Sequence, residues 1–203
     1  MANTNAPFGF RHIGPMQGGG VSNYGLGEYK IVYNYGTAMF KGDVLVQVSS
    51  GYCERYQAGY SGSNVVGIVE GFAYYSASQG RKVLSTYLPV GDTPYDIEVQ
   101  VVPIAGVPPQ LFLVQAAGTQ FTKADFGATL EPTVSGTGTA VGGLGKSAMT
   151  ITQDSGNIGV TNTYPFRVIN LYSSIAPIGT PGTEAASYNI VIVASNPFEA
   201  AGI

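Results

Sequence analysis

Apolar and polar residues alternate along most of this chain with the two-residue period of half-buried strands. Tyr29, Ile31, Tyr33 and Tyr35 share one face of a strand predicted over residues 29–35. Lys41-Gly42-Asp43 reads as a turn leading into a strand at 44–48. Residues 64–75 predict a longer strand, with Gly67 and Gly71 at bulges or sites of close approach. Strands follow at 83–88, 95–102 and 111–114, and shorter ones at 148–152 and 158–161. The strongest late strands are 165–172 and 188–193, dense in Val, Ile, Phe and Tyr. Residues 51–62 read as a tyrosine-rich loop, 133–145 as a Gly/Thr/Ser loop, and 122–126 as one turn of helix at most. Turns recur about every eight to twelve residues, the spacing of sandwiches and barrels. Residues 1–28 are rich in glycine and proline without an apolar period, and read as an extended arm with no core of its own.

The expected fold is therefore mainly β: a Gly-rich sandwich or barrel-like domain over residues 29–203, an extended N-terminal arm over 1–28, and little helix. A division into lobes of about 29–132 and 146–203, joined by the 133–145 loop, is compatible with the pattern. Composition agrees. Twenty-nine glycines and twelve prolines in 203 residues exclude a helical bundle. Only 10% of residues are charged and the net charge is −3. The nine bases are scattered, with Arg81-Lys82 the only adjacent pair, so no basic stripe for nucleic acid is expected. Prolines 103, 108 and 109 interrupt the longest apolar run, 99–117, so no membrane span is expected. The N-terminus lacks the charged start and apolar core of a secretory signal, which places synthesis in a cytoplasm. With one cysteine, Cys53, no intrachain disulfide or paired-cysteine metal site can form.

Few motifs look like chemistry. Residues 140–147, ending Gly145-Lys146-Ser147, fit a loose phosphate-loop pattern, and 143–148 a degenerate dinucleotide fingerprint. Both need a strand before and a helix after, because the helix N-terminus holds the phosphate. Here strand-forming residues follow, so a flexible loop is expected. Asp96 and Glu98 would share one strand face and could flank a glycosidic bond, but a solvated face is the plainer reading. His12, the lone histidine, sits in the arm, where a catalytic group would lack support. Gly59 to Ser63 approaches a nucleophile elbow but lacks the final glycine. Cys53 has no base beside it and reads as a bystander thiol. No catalytic residue, cofactor or metal is expected. Tyr52, Tyr56 and Tyr60 recur every four residues between glycines, and suit either protein or glycan contact, or packing on their own strands.

The opening Asn5-Ala6-Pro7-Phe8-Gly9-Phe10-Arg11 resembles the start of a family of tailed-bacteriophage head proteins encoded near the major capsid protein. The step Ala38 to Leu45 around Gly42-Asp43 resembles that family, as do Val65 to Tyr74, Ala124 to Ala128, Gly145-Lys146-Ser147, Pro165 to Ile169 and Ser187 to Val193. The resemblance implies a capsid decoration, or cement, protein. It would bind the outer surface of the head, bridge neighbouring major capsid subunits, and steady the shell against the packed DNA. Such a protein binds only the assembled lattice and stabilises it by mass action. Three-fold junctions favour a homotrimer, whose linked contacts gain avidity. Pro7, Phe8, Phe10 and Arg11 would be the capsid anchor, Pro7 stiffening the path, the phenylalanines filling pockets and Arg11 meeting a carboxylate. The alternative is a glycan-binding accessory module of a virion, with Tyr52, Tyr56 and Tyr60 as sugar platforms. An enzyme using Lys146, or Asp96 with Glu98, is the third reading weighed.

Overall fold

The densest alternation, over residues 65–76 and 95–103, builds the two longest strands of the computed structural model, and they pair with each other. The structure describes residues 5–16, 26–58, 60, 64–105, 109–118, 120–134, 136, 138–141, 144–152, 158–159, 164–172 and 187–196. In chain order the strands of its first half are β1 (Arg11–Pro15), β2 (Gly27–Lys30), β3 (Met39–Phe40), β4 (Val44–Gln47), β5 (Cys53–Arg55), β6 (Val65–Ser76), β7 (Arg81–Ser85), β8 (Tyr87–Leu88) and β9 (Tyr95–Pro103). The second half supplies β10 (Gln110–Ala117), β11 (Thr129–Leu130), β12 (Pro132–Val134), β13 (Thr139–Val141), β14 (Leu144–Lys146), β15 (Met149–Thr152), β16 (Ile158–Gly159), β17 (Phe166–Leu171) and β18 (Ile190–Ser195). The one helical turn described, Lys123–Asp125, is a 3-10 turn capped reciprocally by Thr122 and Asp125. The protein is mainly β, as expected.

One sheet runs β2-β9-β6-β4-β5 and nearly closes on itself. Its two edges meet where Ile31, just past β2, bridges Cys53 of β5 in parallel. Ile31, Leu45, Cys53, Val69, Phe72, Ile97, Val99 and Val101 fill the interior of this barrel, and Tyr35, Met39 and Leu88 complete it. The consecutive Val44-Leu45-Val46 breaks strict alternation because both faces of β4 are buried: Leu45 faces the barrel interior, and Val44 and Val46 face outward into a second core.

That second core lies under an eight-stranded sheet ordered β12-β15-β10-β18-β17-β11-β16, with β1 also on β10. Phe112, Val114, Met149, Ile151, Phe166, Val168, Val191 and Val193 pack on the outer barrel wall at Val44, Val46, Val65, Ile68 and Val102. Both sheets are branched in the same manner. β6 takes β9 along one edge, and β4 then β7 along the other. β10 takes β18 along one edge, and β1 (antiparallel) then β15 (parallel) along the other.

Three expectations are corrected. The arm is not free-standing over its described part, because β1 pairs with β10 and Phe10 lies in the shared core at 2% exposure. The expected lobe boundary at 133–145 is not where strands change sheets; apart from β1, the change falls between Pro103 and Gln110. The 133–145 segment itself holds the end of β12 and the β13–β14 hairpin, and β14 contacts β8. The strand expected over 29–35 stops as a ladder at Lys30: Ile31 bridges Cys53 instead, Tyr33 is 63% exposed, and Asn34 turns into the left-handed region (φ +52°).

Candidate functional site

The N-terminal segment is seated in the seam between barrel and sheet. The Ala6 N–H donates to Oε1 of Gln115 at 2.9 Å, the Phe10 N–H to the Gly42 carbonyl at 2.9 Å, and the Met16 N–H to the Pro109 carbonyl at 2.8 Å. Gly9 makes this path passable: its φ is +74°, and a Cβ there would lie 2.5 Å from Cβ of Ser147 and 2.6 Å from the Gly42 carbonyl oxygen. Beyond Gly9, Phe10 drops into the core, so its assignment as a capsid anchor is overturned: the ring has no surface left to offer. Pro7 and Phe8 are half-buried, and Arg11 is exposed. Ile13, Met16 and Leu26 add exposed apolar surface nearby in sequence.

A buried ion pair locks the floor of the seam. Asp43 (0% exposed) accepts from Nε of Arg55 at 2.9 Å, from the Ser147 hydroxyl at 2.6 Å and from the Phe40 N–H at 2.9 Å. Arg55 also donates from its guanidinium to the Gly136 carbonyl at 2.8 Å, while its backbone N–H donates to the Tyr35 hydroxyl at 3.1 Å. Burial raises the Asp43 carboxyl above the usual carboxylate range, and Arg55, Ser147 and Phe40 pull against it. The set ties the barrel (Asp43, Arg55) to the segment entering β15 (Ser147), so it fixes the two layers against each other. Sequence reasoning missed all three residues in this role.

Between the N-terminal segment, the barrel and the β13–β14 hairpin lies a cleft of about 590 Å³. Phe8, Arg11, His12, Leu26, Lys41, Glu70, Val102 and Lys146 line it. Lys41 pairs with Glu70. His12 Nε2 lies 3.3 Å from Oε1 of Gln110 and its ring tilts against Phe112, which is a structural role.

The three loop tyrosines do not form one exposed face. Tyr52 is 43% exposed; Tyr56 is buried at 1%, and burial raises its hydroxyl above the usual phenol range. Tyr60 is half-buried and donates to Oε2 of Glu54 at 2.9 Å. Tyr56 as a sugar platform is therefore corrected: the expected loop contains β5, and Tyr56 directly after it donates its N–H to the Val44 carbonyl and buries its ring in the core under the eight-stranded sheet. No family model, curated protein or solved structure matches the chain.

The motifs set aside above take structural places. Lys146 lies on a β-hairpin rather than between a strand and a helix. Asp96 and Glu98 are both held by Nζ of Lys30, at 2.8 and 2.9 Å, and Glu98 also by Lys82 at 3.1 Å, which lowers the Glu98 carboxyl below its ordinary value. Cys53 is buried in the barrel, and burial lifts its thiol to about 11. Ser61 lies outside the described residues. Among the described residues no three His, Cys, Asp or Glu side chains gather as metal ligands, and no helix is long and apolar enough to cross a membrane.

Proposed function

We propose that the protein is a capsid decoration protein of a tailed bacteriophage, acting as a homotrimer on the outer face of the head, where it bridges major capsid subunits and passively stabilises the shell. The observation that carries this reading is the seated N-terminal segment. Phe10 and Gly9 fix the backbone, so Phe8, Arg11, Ile13 and Met16 are presented from a rigid base. A surface held this way loses little conformational entropy on docking, which suits repeated attachment to a lattice. The contact set is thus Phe8 and Arg11 with Ile13, Met16 and Leu26, without Phe10. The sequence resemblance at Pro7 to Arg11 and along the strands supports the same reading.

The test is composition and assembly. Purified phage particles encoding this chain should carry it in a fixed ratio to the major capsid protein, and the isolated protein should sediment as a trimer. A chain missing from mature heads, or one that stays monomeric and fails to sediment with empty shells, would overturn the proposal.

A further inference from the structure

Three of the nine bases of a chain of net charge −3 converge on the seam cleft: Arg11 from β1, Lys41 from the turn before β4, and Lys146 from β14. The cleft holds one acid, Glu70, and Lys41 already engages it. Among the described residues neither Arg11 nor Lys146 has an ion pair, and both are exposed. Phe8 and Leu26 add apolar lining beside the cations. The three cations stand on three separate elements, each held by packing: β1 by Phe10, the turn by buried Asp43, and β14 by Gly145, which sits close against Tyr87. The backbone that carries the cations is therefore held in place, and carboxylate partners for Arg11 and Lys146 are not supplied from within the described chain.

We propose that this cleft is a docking groove for an acidic, extended peptide segment of a partner protein, whose carboxylates pair with Arg11 and Lys146 while its apolar side chains rest on Phe8 and Leu26. The groove shares Phe8, Arg11 and Leu26 with the contact set of the proposed function, so the inference deepens that reading; peptide binding in solution is measured apart from the presence of the chain on phage heads, so either can fail alone. A peptide is favoured over a polyphosphate because the apolar lining of Phe8 and Leu26 gives a polyphosphate nothing to bind.

The test uses the full chain and a short fluorescein-labelled peptide of alternating Glu and Leu, followed by anisotropy. Binding should weaken as salt rises. It should fall about tenfold or more with the Gln/Leu version of the peptide, and by a similar factor in the Arg11→Glu/Lys146→Glu variant. Should that variant lose its fold by circular dichroism, Arg11→Gln/Lys146→Gln replaces it. Lys123→Glu, whose residue does not line the cleft, should leave binding unchanged. Absence of binding, binding indifferent to Arg11 and Lys146, or tripolyphosphate competing as well as free Glu/Leu peptide would each overturn the proposal.

Discussion

The ring of Phe10 stacks on that of Phe166, with centroids 4.6 Å apart and planes 26° from parallel, and Phe112 meets both rings edge-on. Phe166 lies on β17, so this contact brings the start of the chain against one of its last strands. The N-terminal segment is thereby part of the fold as well as a presenter of surface. Phe10→Ala is expected to cost about 3–5 kcal/mol by loss of burial plus a cavity. Phe8→Ala and Arg11→Ala, at half-buried and exposed positions, should each cost about 1 kcal/mol or less. Urea denaturation compares the three. For the same reason, removal of residues 2–12 should destabilise the whole domain, so point substitutions at Phe8 and Arg11 are the cleaner probes of docking.

Asp43 and Arg55 should behave as a unit with Ser147. Arg55→Ala strands a buried carboxylate and should cost about 3–5 kcal/mol. Ser147→Ala removes the short hydrogen bond to Asp43 and the one the hydroxyl accepts from the Met149 N–H, and should cost about 1–3 kcal/mol. The paired replacement Asp43→Leu/Arg55→Met should cost less than the sum of its single changes, because no lone charge stays buried. A double-mutant cycle in denaturant measures the coupling.

Stability should fall at alkaline pH. The Cys53 thiol is lifted from its ordinary value of 9.0 to about 11 by burial, so the folded state holds its proton more tightly than the unfolded chain. Its contribution is fully present below pH 9 and is lost as pH rises through about 11, a change of about 2–3 kcal/mol. Tyr29, Tyr35 and Tyr74, also raised by burial, add to the loss above their ordinary value of 10.0. Thermal unfolding against pH should show this decline, and Cys53→Ala should flatten the part nearest pH 9.

Two glycines should answer oppositely to alanine. A Cβ at Gly145 would fall 2.3 Å from Cβ of Tyr87 and 2.8 Å from the Phe40 ring, so Gly145→Ala should cost about 1–3 kcal/mol or more by lifting the hairpin off the barrel. Gly36 has open space and an ordinary φ, so Gly36→Ala should be neutral or stabilising by about 0.4–1 kcal/mol. Thermal midpoints of the two variants decide it.

The barrel strands were legible because β6 and β9 keep a near-regular apolar alternation rich in Val and Ile. Interruptions such as Glu70 fall at bulges that shift the register without ending the strand. β5 was hidden inside an apparent loop, since its inward positions are Cys53 and Arg55 and a buried arginine reads as solvated. The β13–β14 hairpin carries no apolar period; β14 is placed by contact of Gly145 with Tyr87 and Phe40, residues nearly sixty or more positions earlier in the chain. Phe10 was misjudged because one aromatic in a glycine-rich segment has no periodic neighbours to show which way it faces. The cleft was illegible for a related reason: Arg11, Lys41 and Lys146 come together only because β1 pairs with distant β10 and the β13–β14 hairpin packs against β8.

Passive bridging of a shell lattice is tested most directly by electron cryo-microscopy of the native phage particle. The account predicts trimeric density for this chain on the outer face of the head, straddling joints between capsid subunits, with Phe8 and Arg11 toward the lattice. Density at the tail or inside the head, or a head that carries none of this chain, would contradict it.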